Sequence, residues 1–221
     1  MSKTLSGSAR IVVVDDHGIV RFGCAQLINQ DPLLEVCGMA SSEQEGFEMI
    51  KRERPDLALV DLSLKNGDGI DLIKSLVTHV PATKILVISA HDESLFAHRV
   101  LAVGALGFVN KQEAPGNLTN AIHAILRGEF FFSESVTKHL IRDRLGNTKP
   151  NKVNGIERLT NRELQVFEQI GNGRSTRQIA EALFLSVKTI ERHKENIKQK
   201  LGIQHATQLV QHATQWVLGR G

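Results

Sequence analysis

The stretch Arg10-Ile-Val-Val-Val-Asp-Asp16 decides the fold. Ile11, Val12, Val13 and Val14 are all β-branched, and such side chains favour extended backbone because a helix restricts their χ1 freedom. The run has no polar alternation, which fits a strand covered on both faces by helices. It ends on two carboxylates, Asp15 and Asp16. Working outward, the same pattern recurs at Leu34-Glu-Val-Cys-Gly-Met39, Leu57-Ala-Leu-Val60, Lys84-Ile-Leu-Val-Ile88 and Leu106-Gly-Phe-Val109, with longer helical patterns between them. Repeated βα units up to about Arg127 predict an α/β fold built on a doubly wound, five-stranded parallel sheet. Ser42 with Glu45 reads as a capping box ahead of Phe47, Met49 and Ile50, and Asp92 as the cap of a helix over 93–102.

Beyond Phe130-Phe-Phe132 the pattern predicts a helix over 133–145, then a Gly/Pro/Asn/Lys-rich linker, Gly146-Asn-Thr-Lys-Pro-Asn-Lys-Val-Asn-Gly155. From there on the patterns are helical only. Thr160 with Glu163 makes a capping box for a helix through Leu164, Val166, Phe167 and Ile170 that stops at Gly171-Asn-Gly173. Helices follow over 176–183, over 187–201 after Ser186, and over 206–218. The organisation is therefore an α/β domain over 9–127, a linker with a helix over 128–155, and a small all-α domain over 156–221.

A chain of 221 residues with 41% hydrophobic residues has material for two modest cores. No apolar run precedes Ile11 and none approaches the roughly 18 residues of a membrane span, so a soluble, cytoplasmic protein with no secretory signal is expected. Cys24 and Cys37 lie in apolar patterns without metal-ligand spacing and read as reduced, buried thiols. The net charge of +3 is unevenly distributed: residues 150–221 carry 11 Lys and Arg against 6 Asp and Glu, and the remainder is mildly acidic. A basic module points to nucleic acid, although many basic surfaces are merely solvated.

The polar residues of the α/β part gather at strand ends. Asp15 and Asp16 follow the first strand, Asp61 the third, Ser89 the fourth, and Lys111 lies just past the fifth. In an open parallel sheet these carboxyl ends converge on the crevice where ligands bind. Three clustered carboxylates repel, so they call for a divalent cation, and hard oxygen ligands suit Mg²⁺. Lys111 adds a compact positive charge and Ser89 a hydroxyl, and together these groups suit a phosphoryl group held on one carboxylate. A lone Asp after a strand is ordinarily a cap or turn former; the combination carries the reading.

Val-Asp15-Asp16, Leu-Val-Asp61, Val-Ile-Ser89-Ala90 and Gly104-Ala-Leu-Gly-Phe108-Val-Asn-Lys111 resemble the motifs of two-component receiver domains, over about residues 9–127. The resemblance implies strand order 2-1-3-4-5, phosphoryl transfer from a histidine kinase to Asp61, and Mg²⁺ held by Asp16, Asp61, Asp15 through water, and the Ser63 backbone carbonyl. It makes Ser89 the hydroxyl that moves onto the phosphoryl group and Phe108 the aromatic that turns inward with it. Lys65 and Gln112 stand where many receivers have Pro, which bears on loop dynamics and phosphoryl lifetime. An Asp-nucleophile phosphatase is the enzyme alternative, but such enzymes carry Asp-x-Asp where this chain has Ser63 at the second position.

In the helix over 187–201, Val187, Ile190, Ile197 and Leu201 share the expected core face. Lys188, Arg192, Glu195, Asn196 and Gln199 lie opposite, suited to base edges and phosphates in a major groove. Thr189, Glu191 and Lys198 complete the DNA-facing set, with Lys194 and Lys200 nearer the flanks. His193 falls on the buried side and reads as structural. With the helix over 176–183 and the turn Phe184-Leu-Ser186, the pair makes a helix-turn-helix. Leu159-Thr-Asn-Arg-Glu163, Gly173, Ile179-Ala180, Leu183, Leu185-Ser186, Thr189-Ile190, His193, Ile197 and Lys200-Leu201 resemble the LuxR-type DNA-binding domain. Joined to a receiver, this resembles the NarL/FixJ class of response regulators. It implies that the last helix packs two copies together on double-stranded DNA, with Leu209, Val210, Ala213 and Trp216 or Val217 as the apolar contacts. Glu195 either accepts from a cytosine N4 or pairs with a basic neighbour.

Gly171-Asn-Gly-Arg-Ser-Thr176 superficially resembles a phosphate-binding loop, but no strand precedes it and no Lys stands at the required place. The expected function is thus a transcription regulator rather than an ordinary enzyme, one that catalyses at most its own phosphoryl uptake and loss. Phosphorylation at Asp61 would favour a DNA-binding homodimer. A regulator with a receiver that serves only as a fixed partner-binding module is the alternative.

Overall fold

The computed structural model describes residues 7–64, 67–144, 155–183 and 185–218. The chain divides into two units, Met1–Asn147 and Thr148–Gly221. Lys65, Phe184 and nearly all of the linker stretch 146–155 lie outside the described residues.

In the first unit, β1 (Ala9–Val14), β2 (Leu34–Ala40), β3 (Leu57–Asp61), β4 (Lys84–Ser89) and β5 (Gly107–Asn110) form one sheet in the order β2-β1-β3-β4-β5. All four pairings are parallel. The expected topology is therefore the observed one, with β1 starting two residues earlier, β2, β3 and β4 ending one residue later, and β5 shifted by one residue. Ile11 to Val14 have no exposed surface at all. Ile11 and Val13 join Leu57, Leu59, Leu86 and Ile88 against α1 (Gly18–Asn29) and α5 (Ala114–Leu126), through Cys24, Ile28, Leu118, Ile122 and Ile125. The alternate residues face α2 (Glu43–Glu53), α3 (Gly69–His79) and α4 (Glu93–Ala102). Gly46 of α2 lies so close to Val14 that a Cβ would come within 2.9 Å of its side chain. Both faces are covered, which is why the strand sequences never alternate.

Local signals explain the helix starts. Asp92 and Asp68 accept from the amides two residues on, Ser94 and Ile70. Ser42 accepts from the Glu45 amide, but the Glu45 carboxylate takes the Ser41 amide and hydroxyl instead of closing the expected box. Gly69 is required by packing: a Cβ there would lie 2.2 Å from the Asp61 carbonyl oxygen.

Past α5 the chain returns to the sheet edge. Phe131 pairs with Gly107 in parallel, donating its amide to Leu106 O and accepting from the Phe108 amide. The helix expected over 133–145 is α6 (Glu134–Arg144), and it belongs to this unit: Val136 is buried, and Glu93 of α4 accepts the Ser133 amide at 2.9 Å.

The second unit is helical throughout its described residues. A short 3-10 turn, Ile156–Arg158, precedes α7 (Asn161–Gly171), α8 (Thr176–Ala182), α9 (Val187–Leu201) and α10 (Ala206–Leu218). Thr160 and Glu163 form the full capping box expected of them, and Ser186 caps α9 through the Thr189 amide. The core is Leu164, Val166, Phe167, Ile170, Ile179, Ile190, Ile197, Leu209 and Ala213. Val187 departs from expectation, being 48% exposed, because the first turn of α9 runs out beyond this core.

Gly107 lacks a side chain where one would meet Phe131 O at 2.7 Å and Ile125 Cδ1 at 2.9 Å. Gly107→Val is expected to force the 131 segment off the sheet edge. Amide hydrogen exchange is the measurement: Phe108 and Phe131 should lose protection while β1 and β3 keep theirs.

Candidate functional site

The carboxyl ends of β1 and β3 lie side by side, and each delivers a carboxylate into the same crevice. Asp15 and Asp61 are fully buried. Lys111, just beyond β5, reaches both, with Nζ 2.8 Å from Asp15 Oδ2 and 2.8 Å from Asp61 Oδ2. Its backbone amide bonds to the Ser89 carbonyl, which ties the lysine to the end of β4. Asp16 stands beside Asp15 and is partly exposed. The residues singled out at four strand ends are therefore brought together.

The electrostatics follow from counting charges. Three carboxylates face one ammonium. Burial raises the Asp61 carboxyl above the ordinary carboxylate range, and Asp15 adds to this while Lys111 opposes it. Burial works against the Lys111 ammonium too, but Asp61 and Asp15 outweigh it and hold the lysine above its usual value. Both directions describe a pocket with excess negative charge that retains protons and favours cations. Asp61 Oδ1 is buried without a hydrogen-bond donor of good geometry. A divalent cation fits such a donor set: hard oxygens, buried carboxylates, and two negative charges that Lys111 does not offset. Asp15, Asp16, His17 and Asp61 each offer one ligand atom, all within 4.8 Å of one another.

The remaining expected residues take these places. Ser89 is buried, and its Oγ accepts from the His91 amide at 3.2 Å. Phe108 is buried on β5, with its amide on the Phe131 segment. Ser63 follows Asp61 by two residues, and its hydroxyl lies 2.8 Å from His91 Nε2. Sequence reasoning passed over His17, His91 and Gly69. His17 directly follows the acidic pair, a signal that was available; His91 and Gly69 become meaningful only once the strand ends converge. Cys24 is a buried thiol, pushed up to about 11 by burial and by the Asp15 carboxylate beyond it. Cys37 is only half-buried, unlike the expectation, and both cysteines are free.

On α9, Lys188, Glu191, Arg192, Glu195 and Gln199 are exposed, while Thr189, Asn196 and Lys198 are half-buried. Glu195 pairs with Lys198 at 2.8 Å, not with Lys188 or Arg192. Glu191 accepts from Thr176 Oγ1 at 2.9 Å and from Lys194 at 3.1 Å, so it ties α8 to α9. Thr189 Oγ1 lies 2.8 Å from Ser186 Oγ within the cap. The outward stripe is thus Lys188, Arg192 and Gln199. His193 is half-buried, and burial pushes its pKa below the ordinary histidine value.

Two expected dimer contacts are corrected by packing. Leu209 and Ala213 are buried inside their own domain against α7, where they cannot meet a second copy. Trp216 packs on Phe167, ring centroids 5.5 Å apart, and Val217 lies over Gly171. Val210 is exposed, as is Leu218. Gly171 permits this packing, since a Cβ would lie 2.5 Å from Ala213 O.

Comparison with known proteins agrees with both halves. Residues 11–123 match the response regulator receiver domain, and residues 157–213 match the bacterial regulatory proteins of the luxR family. Oxygen regulatory protein NreC of Staphylococcus carnosus is 33% identical over 208 residues, covering 92% of this chain and 96% of that protein. Among solved structures, a two-component response regulator of the LuxR family from Aurantimonas is 33% identical with a TM-score of 0.58, covering 63% of this chain and 99% of its own. RcsB from Salmonella enterica serovar Typhimurium, bound to promoter rprA in the presence of phosphomimetic BeF3-, is 28% identical with a TM-score of 0.59, covering 94% and 99%.

One ion pair fixes the frame of α9. Glu163 Oε2 takes both the Thr160 amide at 2.8 Å and Lys200 Nζ at 2.6 Å, joining the start of α7 to the end of α9. Burial pushes this carboxyl up, but Lys200 and the Thr160 amide outweigh it and hold Glu163 below the ordinary value of 4.5. A carboxyl depressed on folding stabilises fully above its unfolded pKa, and the stabilisation is lost as pH falls through the lower folded value. The stability of this domain, with unfolding read by its single Trp216, should therefore fall as the pH drops below about 4.5. Glu163→Gln should remove that dependence and cost about 2 kcal/mol at neutral pH, as for a hydrogen bond to a charged group.

Proposed function

Because the chain belongs to the response regulators that join a receiver domain to a LuxR-type DNA-binding domain, we propose that phosphoryl transfer from a histidine kinase to Asp61 controls promoter binding through α9. The observation that carries this reading is the shared contact of Lys111 with Asp15 and Asp61, 2.8 Å to each, at the carboxyl edge of the sheet. The receiver spans 9–127, the connector 128–155 and the DNA-binding domain 156–221. No helix among the described residues is long and apolar enough to cross a bilayer.

Asp61 is the nucleophile. One of its carboxylate oxygens bonds to phosphorus as the P–N bond to the donor imidazole breaks, and the imidazole departs with a proton from solvent. Mg²⁺, held by Asp15, Asp16, Asp61 and the Ser63 carbonyl, would shield the negative charge as two anions approach. Lys111 follows the charge: its ammonium already bridges Asp15 and Asp61, and it supplies a fixed donor to a phosphoryl oxygen. Ser89 presents a hydroxyl at the end of β4, next in the sheet to the strand that ends on Asp61.

The new charge is read out along β5. Phe108 and Lys111 lie on one short segment, and the same segment holds the connector through Phe131. A cavity of about 620 Å³ lined by Phe108, Asn110, Phe131, Ser133 and Val136 gives the aromatic ring room to rearrange. A phosphoryl group brings roughly two negative charges. Drawing Ser89 and Lys111 toward it pulls on β5 and hence on residues 131–136. The active form is a homodimer on double-stranded DNA, with Val210 and Leu218 as the exposed apolar residues of α10 that two copies share.

Asp61→Asn should abolish labelling by acetyl phosphate in the presence of Mg²⁺; labelling that persists would overturn the assignment. Arg192→Ala should weaken binding to the cognate site by about 1–3 kcal/mol and relax the preference at one base position. Binding selection from a random duplex pool, run on both proteins, measures this. Loss that is equal on every sequence would make Arg192 a phosphate contact.

A further inference from the structure

We propose that His17 is a nitrogen ligand of the carboxylate centre, one that engages borderline transition-metal cations such as Zn²⁺ and leaves Mg²⁺ to the carboxylates alone. The inference rests on reading Asp15, Asp16 and Asp61 as a divalent-cation site. His17 Nδ1 lies 2.6 Å from Asp16 Oδ1 and 3.4 Å from Asp15 Oδ1. It is one of the four ligand atoms gathered within 4.8 Å.

The ring is placed there by backbone. His17 is the N-cap of α1, with extended dihedrals of φ −87° and ψ 104°, and its side chain makes no capping hydrogen bond. Its amide is fixed instead by Asp15 Oδ1 at 2.8 Å. The residue that begins α1 is thus anchored to one carboxylate by its main chain and turned toward a second by its ring. Asp61 Oδ1 is buried without a hydrogen bond of good geometry, as an oxygen that takes a further ligand would be.

Donor chemistry separates the metals. Three carboxylates against Lys111 leave two negative charges, which any divalent cation neutralises, and His17 adds a donor without adding charge. Mg²⁺ dehydrates reluctantly, keeps several waters and prefers oxygen. Imidazole suits Zn²⁺, Ni²⁺ and Cu²⁺, and the affinity of mixed nitrogen and oxygen sites rises toward them along the first row. His17 therefore changes which metal the centre retains, independently of whether the centre binds metal at all. Its ring is 45% exposed, so an entering ion meets it before the buried carboxylates.

Isothermal titration calorimetry of the full chain with MgCl₂ and with ZnCl₂ tests this, using the wild type, His17→Ala and the double variant Asp16→Asn, Asp61→Asn. The expected result is that His17→Ala weakens Zn²⁺ at least tenfold and changes Mg²⁺ less than twofold, while the double variant loses the tight event for both. Retained Mg²⁺ binding also shows that His17→Ala leaves the centre folded. Unchanged Zn²⁺ affinity in His17→Ala, or equal weakening of both metals, would overturn the role of His17. Tight binding of both metals by the double variant would instead overturn the carboxylate centre beneath it.

Discussion

Asp15 and Asp61 are carried to one point by adjacent parallel strands, are removed from water, and share the ammonium of Lys111. Burying one carboxylate is expensive unless it is paired, and burying two against a single cation leaves the account negative. Asp16 and the ordinary carboxyl-end dipoles of the sheet do not relieve this. Lys111 sits between the two buried acids and offsets part of their charge. On the function proposed for this site a divalent cation would offset the rest and a phosphoryl group would add roughly two negative charges again, each changing the force on Lys111.

That force has a short path to travel. Lys111 is the first residue after β5, its amide is bonded to Ser89, and β5 in turn holds Phe131 through two main-chain hydrogen bonds. The start of the connector is therefore bridged to the sheet edge at Phe131, and Glu93 accepts the amide of Ser133 two residues on. Gly107 makes this possible, because a side chain there would collide with Phe131.

How much of this was legible in the sequence depended on whether a feature was local. The strands could be read because a sheet covered on both faces demands continuous apolar runs, as at Ile11 to Val14, and because carboxylates mark where the runs emerge; their order came only from the resemblance to receiver domains. The caps of Asp92, Thr160 and Ser186 were legible for the same reason: donor and acceptor are two or three residues apart. Features made by residues distant in sequence were not. The pairing of Phe131 with Gly107 and the bond from Glu93 to Ser133 carry no pattern of their own. The facing of α10 was misread for Leu209 and Ala213, since a helical stripe of apolar residues looks alike whether it meets α7 or a second copy.

The DNA-binding domain shows the same dependence on paired charges, with the opposite outcome. Glu163 is buried too, less deeply than Asp61, but it has both the Thr160 amide and Lys200, and its carboxyl is depressed where that of Asp61 is raised. A satisfied acid fixes geometry; an unsatisfied one awaits a ligand. Glu191 and Glu195 extend this distinction to the surface of α9. Their acidic charges, conspicuous on a helix meant for a polyanion, are taken up by Lys194 and Lys198. Those pairs leave Lys188, Arg192 and Gln199 as the outward stripe of α9, which is why the reading proposed for this helix rests on that stripe and not on its acidic residues.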